Sequence, residues 1–373
     1  MYGNSAIFSP QLAYSEPVTM HLSDAQKKDL SFDLELSTRS IGQETNPLAM
    51  SRLAERVLHR HVDRAQRRAI DDFGQFRNAP YLLLKNLVST EGLPPTPVDD
   101  TSPAEEGWRV QAAALLGLLT MCGMTAASFK DEMGGRLCHM VMPAKNSDRS
   151  YARSTKALNF HTEVVNGYFI EEDPRSGAPI SPESFGLVCL RNPGQVATTV
   201  LPIDKLLDTL TRAERAVLAM PHFTARSQSS FDREMVVENV PVLIRMANGL
   251  WGMRFSSSKL VGINDQATRV LEKFRNNIEA ARFESVVLHP GDALILNNRI
   301  CLHGRTAIRG TEQFDGMDRW LVRIYGYQSA TTKRMRFAGD RSHVMLVDDT
   351  GADAESILRR PSPGAIGTAT SQT

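Results

Sequence analysis

The triplet His161-Thr162-Glu163 sets an imidazole and a carboxylate two residues apart. In an extended strand that spacing turns both side chains to one face, where they could ligate one cation. An isolated H-x-E triplet also recurs by chance, and a surface histidine beside a glutamate needs no metal. A second segment adds to the reading. Leu288 to Arg305 joins a Pro290-Gly291 turn, the apolar run Ala293 to Leu296 and a terminal His303, a natural third ligand. Two imidazoles and one carboxylate form the facial triad preferred by non-haem Fe(II), which leaves metal positions for a chelating cosubstrate and dioxygen.

Three motifs together, H-T-E, P-G-D-x-L-x-x-x-N-x-x-x-x-H-x-R ending at Arg305, and F-D-G-x-D-R-W-L-x-R from Phe314 to Arg323, carry a family resemblance. From about Tyr81 to Tyr327 the chain resembles the clavaminate synthase-like, taurine dioxygenase-related Fe(II)- and 2-oxoglutarate-dependent oxygenases. The resemblance implies that His161, Glu163 and His303 bind iron and that Arg319 pairs with the distal carboxylate of 2-oxoglutarate. It also implies that the Thr198 hydroxyl contacts this cosubstrate and that Arg323 receives a substrate carboxylate. Arg319 lies sixteen residues after His303, about two more than expected for close relatives, with Gly310-Thr311-Glu312-Gln313 as the expected insertion.

Elementary chemistry agrees with the arginine roles, because a planar guanidinium clamps a carboxylate through two parallel hydrogen bonds and lysine does not. Arg323 lies at even separation from Arg319 and on a strand would project into the same cavity. The plain alternative for Arg319 is a surface salt bridge with Asp315 or Asp318. Thr199, on the opposite strand face from Thr198, would then be the bland neighbour. His139, His289, His59 and His61 lack complementary ligand spacing and read as structural or solvent-facing. Ser256-Ser257-Ser258 lacks the G-x-S-x-G setting of a hydrolase nucleophile, and no Walker A or Rossmann fingerprint appears.

By the same resemblance, dioxygen and 2-oxoglutarate are consumed with release of succinate and carbon dioxide while a substrate C–H bond is oxidised. Hydroxylation of a free amino acid or derivative is the default. Glu163 disfavours halogenation, for which related enzymes carry a small residue in place of the metal carboxylate. Desaturation, ring formation, or hydroxylation of a carrier-tethered residue remain alternatives. A non-catalytic metal-binding jelly-roll protein is the alternative of another class. Relatives that handle basic side chains usually carry acidic residues before the last metal-binding segment, where this chain has Trp251 to Ser256 without a carboxylate. The resemblance therefore implies a neutral or acidic substrate side chain, with Arg254 read as paired outward at the surface.

The elements that must position these groups are a helical first third and a strand-rich remainder. Asn46 to Phe73 has apolar residues at helical spacing with no glycine before Gly74, and Arg52, Arg56, Arg60, Arg64 and Arg68 recur every fourth residue along one solvated face. Val110 to Phe129 is long enough to cross a bilayer, but its glycines and polar residues favour a buried helix, with helical patterning continuing to Lys130. Short β-prone runs follow at Leu187 to Leu190, Ala197 to Leu201, Val240 to Ile244, Ser285 to Leu288, Ala293 to Leu296 and Trp320 to Tyr327. Helical inserts are expected at Ile203 to Met220 and Asn264 to Ala281. The expected fold is mainly β with flanking helices around a double-stranded β-helix, or jelly roll, core.

The chain has 373 residues with 42% hydrophobic content, enough for a full core in one oxygenase domain over residues 1–347. Residues 348–373 read as a flexible tail, and Asn166 to Glu183 as a candidate lid loop. A formal charge of +1 gives no overall field for gathering nucleic acid or anionic lipid, so a small-molecule partner is expected. Four dispersed cysteines without a C-x-x-C pair argue for a reducing compartment, and a cytoplasmic location is expected from an N-terminus without a secretion pattern.

Overall fold

The computed structural model describes residues 12–98, 103–143, 155–309 and 314–348. The Gly310–Gln313 insertion and nearly all of the 348–373 tail lie outside the described residues. The architecture is sheet-rich with flanking helices. A seven-stranded sheet runs in the order Val18–His21, Tyr81–Lys85, Ala293–Asn297, Ser184–Arg191 and Trp320–Gln328, with Met124–Ala126 and His139–Val141 both paired to the last strand. A four-stranded antiparallel sheet has the order Glu284–Val287, Ala197–Pro202, Cys301–Arg305 and Leu158–His161.

Period-two alternation divides the large sheet between two cores. Leu82, Leu84, Val188, Ala293, Ile295, Val322 and Ile324 pack against the helical layer, whereas their neighbours Leu83, Leu187, Cys189, Leu294, Leu296, Leu321 and Tyr325 face the smaller sheet. Val200, Val286 and Cys301 of the smaller sheet join that second core, while Leu201 and Leu302 turn outward onto the Asp265–Ala280 helix and its neighbours. Each buried Val, Leu or Ile contributes about 1.5–3 kcal/mol relative to exposure, so a register slip in either sheet is costly.

The run expected as one helix from Asn46 to Phe73 forms two. Pro47–His61 and Arg64–Phe76 are separate because Asp63 starts a new helix, its side chain accepting from the Gln66 amide while Gln66 reaches back to the Asp63 amide. Such a cap is worth about 1 kcal/mol. The break divides the arginine row, though all five arginines are exposed as expected. The apolar helix is Arg109–Met121, almost wholly buried; it ends at Cys122, and Met124–Ala126 and Ser128–Phe129 are strands where helix was expected. Among the described residues no helix is long and apolar enough to cross a membrane.

The later inserts follow the pattern in outline. Ile203 to Met220 becomes two short helices, Asp204–Leu207 and Arg212–Leu218, and Asp265–Ala280 buries Leu271, Phe274 and Ile278 on one face. Val240 to Ile244 divides between Val236–Val240 and Leu243–Arg245. The Pro290-Gly291 turn needs its glycine: φ is +90°, and an added Cβ would lie 2.3 Å from the Val88 carbonyl oxygen. All four cysteines are buried and free.

Candidate metal centre and the cavity around it

Strand register brings the distant candidate ligands together. His303 stands directly opposite His161 in the antiparallel pair Cys301–Arg305 with Leu158–His161, their ring centroids 4.2 Å apart. Glu163 follows two residues after His161, and one ligand atom from each of His161, Glu163 and His303 lies within 4.8 Å of the others. Among the described residues this is the group of three or more His, Cys, Asp or Glu side chains that could hold a metal ion. Gly304 lets the neighbouring strands close on His303, since a Cβ there would lie 2.5 Å from the Leu158 carbonyl oxygen.

The donor atoms fit a divalent transition metal. His161 Nδ1 lies 2.9 Å from the Asn159 carbonyl oxygen; with the proton on Nδ1, Nε2 keeps its lone pair for a metal. Burial and the second imidazole push His161 down to about 4, which favours the neutral form that a metal requires. His303 has a buried Nδ1 with no hydrogen-bond partner. Burial by itself would raise Glu163, but Arg323 and the two imidazoles prevail and hold it well below the usual carboxylate range. Its backbone is gripped by Asn298, whose Oδ1 accepts from Glu163 N at 2.7 Å and whose amide donates to Glu163 O at 3.1 Å. The chain then turns through Val164 at φ +52°, a strained conformation for a β-branched residue.

A cavity of about 500 Å³ opens over this cluster, and His161, Glu163, Thr198, His303, Arg305, Arg319 and Arg323 all line it. Odd positions from 319 to 325 share the inward face of their strand, which carries Arg319 and Arg323 to the same side. Arg319 is 5% exposed, and its Nε and Nη1 are buried with no partner. No ion pair joins it to Asp315 or Asp318, which instead accept from the Met317 and Phe314 amides. The surface salt-bridge alternative is therefore excluded. Burial and the nearby Arg305 depress Arg319 to about 9, the mark of a cation in want of an anion. Thr198 lines the cavity from the strand opposite Arg305, and Thr199 does not.

Arg323 is engaged already. It donates to Glu163 Oε1 at 2.7 Å and Glu132 Oε1 at 3.2 Å, and lies 2.7 Å from His139 Nδ1, leaving Nε buried without a partner. His139 thus steadies the guanidinium, with its other nitrogen 3.1 Å from the Arg136 carbonyl; burial and Arg323 push it down to about 3.

No family model matches the sequence. It is 28% identical over 292 residues to an L-lysine 3-hydroxylase of Catenulispora acidiphila, covering 74% of this chain and 73% of the relative. It is also 28% identical to clavaminate synthase 2 of Streptomyces clavuligerus, covering 66% and 73% respectively. In sequence the chain thus resembles the clavaminate synthase-like Fe(II)- and 2-oxoglutarate-dependent oxygenases. In fold this oxygenase is similar to a crystal structure of asparagine oxygenase in complex with Fe(II), 3-hydroxyasparagine and succinate. The TM-score is 0.74 at 23% identity, covering 89% of this chain and 99% of that one.

Several residues around the candidate site escaped the sequence reading. Glu132 is fully buried, accepts from Ser230 at 2.7 Å and Tyr325 at 3.2 Å, and keeps Oε2 without a partner. Gln228 donates to Glu163 Oε2 at 3.2 Å. Neither sits in a periodic segment that would have marked it. Arg254 is not a surface residue: it is 1% exposed, pairs with Glu172 and lies over the Phe169 ring at 5.3 Å. His61 is half-buried and paired with Asp33 at 2.9 Å. Asn166 to Glu183, expected as a lid, is tied down through Tyr168 and Ser181 and buries Asn166, Phe169 and Ile180; it does not line the cavity.

Proposed function

We propose that this oxygenase hydroxylates an unactivated C–H bond of a free amino acid or amino-acid-derived small molecule, as one catalytic unit built on a double-stranded β-helix core. The observation that carries the reading is Arg319, a buried guanidinium with unpartnered nitrogens in the same cavity as two imidazoles and a carboxylate. A dicarboxylate that chelates the metal at one end and meets Arg319 at the other satisfies both demands, which is what 2-oxoglutarate offers. Bound Fe(II), with 2-oxoglutarate and dioxygen, supplies the oxidising chemistry.

The protein's own part is positioning. His161, Glu163 and His303 would hold the metal, with Asn159 and Asn298 fixing two of them from behind. Thr198 and Arg319 would hold the cosubstrate, the hydroxyl adding a donor beside the clamp. Arg323 lines the cavity and would receive the carboxylate of an α-amino acid, while Glu132, buried behind it, holds the guanidinium in place at 3.2 Å. Phe185 and Leu187 line the cavity and exclude water from its inner wall. The names of the similar proteins, hydroxylases of free amino acids, support the same substrate class.

The test is incubation of the iron-loaded protein with 2-oxoglutarate and a panel of free amino acids, measuring succinate and product mass. Succinate release that depends on one amino acid, with gain of one oxygen atom, is expected. Loss of two hydrogens would reassign the outcome to desaturation or cyclisation, and succinate release indifferent to every amino acid would contradict the substrate class.

A further inference from the structure

The cavity's outer part is built from two loops, Gln228 to Ser230 and Ser256 to Lys259, and its chemistry is one-sided. Among the described lining residues the single carboxylate is Glu163, set against Lys259, Arg305, Arg319 and Arg323. Glu132, Asp131 and Glu234, on neighbouring segments, are already held by Arg323, Arg233 and Arg226 at 3.0–3.2 Å. Lys259 has no side-chain ion pair or hydrogen bond among the described residues, and it is only half-exposed. Its backbone is fixed: Arg226 N donates to Lys259 O at 2.8 Å. At the other end of the loop Ser256 bridges to His161, and Phe255 exchanges hydrogen bonds with Thr162. The loop therefore holds a free ammonium and three serine hydroxyls at the edge of the site, close in the fold to a metal ligand.

We propose that Lys259 is a specificity-determining residue and that the substrate is an amino acid whose side chain ends in a carboxylate. This rests on the amino-acid reading above and adds the identity of the side-chain end. A cationic side chain would enter a space already holding an unpaired ammonium and offering no free carboxylate, whereas a carboxylate gains an ion pair and hydroxyl donors. A carboxamide accepts the same hydrogen bonds without the charge and falls between.

The test is binding, read by calorimetry on the Zn(II)-substituted protein with 2-oxoglutarate present, so that no turnover intervenes. L-Aspartate and L-glutamate are expected to bind at least tenfold more tightly than L-asparagine and L-glutamine, with L-lysine, L-ornithine and L-arginine weakest. Lys259→Glu is expected to reverse the order of acidic and basic ligands, and the milder Lys259→Met to abolish the acidic preference, both with 2-oxoglutarate affinity unchanged. Tighter wild-type binding of a basic or amide side chain, or an order that neither substitution alters, overturns the assignment while leaving the amino-acid reading intact. Binding of no amino acid by protein that still binds 2-oxoglutarate overturns both.

Discussion

The inner and outer ends of the cavity are built differently. At the inner end the functional side chains stand on strands: His161, Thr198, His303 and Arg323 belong to paired segments whose register fixes which way each points, with Arg319 one residue before its strand. At the outer end Gln228, Ser230, Ser257 and Lys259 stand on loops held by a few backbone hydrogen bonds. Strands hold a constellation with little play, which metal and cosubstrate require, and loops can change residues without disturbing either sheet. On the proposed reading, the difference teaches that metal, cosubstrate and α-carboxylate are held through strand register and that the choice of side chain lies with the loops.

Substitutions at the inner end should break this contrast most visibly. His303→Ala removes one of the three proposed ligands and is expected to weaken iron binding by more than the roughly 100-fold typical of losing an outer partner of a ligand, as measured by metal titration. Arg319→Met is expected to weaken 2-oxoglutarate binding by about 100-fold through loss of a charged, two-bond clamp. It should also raise the stability of the metal-free protein by on the order of 1 kcal/mol, because a buried cation without a partner is removed. Cosubstrate titration and urea unfolding of one variant read both effects. Asn298→Ala, which frees the Glu163 backbone, should lower iron affinity by about tenfold in the same titration.

His139 sharpens the comparison through pH. Its folded-state value is depressed to about 3 from 6.5, so between those limits the unfolded chain binds a proton that the folded protein refuses. That contribution is fully present above pH 6.5 and is lost as pH falls, by on the order of 2 kcal/mol at pH 5. In urea unfolding, His139→Gln should flatten the acid slope of stability. At the outer end Ser257→Ala, on an exposed loop position, should change stability by less than about 0.5 kcal/mol and leave iron and 2-oxoglutarate affinity unaltered.

What could be read from the sequence divides along the same boundary. Alternation along strands announces which residues share a face, so the pairing of His161 with Glu163 and of Arg319 with Arg323 is legible without coordinates. Gln228 and Lys259 reach the cavity, and Glu132 reaches Arg323, through tertiary contacts between loops, which leave no periodic trace. Apolar spacing carried the helix readings too far at both ends. Asp63 and Gln66 form a capping box that announces a new helix, a signal hidden when Asp63 is counted only as a charge. After Met121 the apolar run continues into strands that pair with Trp320–Gln328 and Val344–Met345, partners too distant along the chain for local spacing to reveal. Arg254 was misjudged because an isolated arginine is usually exposed, whereas Glu172 and Phe169 compensate its burial here.

The central claim is that the histidine–glutamate–histidine cluster and Arg319 together hold a metal-chelated 2-oxo dicarboxylate. Anaerobic titration of the protein with Fe(II) and 2-oxoglutarate measures this directly through the weak visible charge-transfer absorption of the chelate. The account predicts a band that saturates with stoichiometric iron, disappears in His161→Ala and needs far more 2-oxoglutarate in Arg319→Met. Iron-saturated wild-type protein that develops no band, or an Arg319→Met titration that matches wild type, would contradict it.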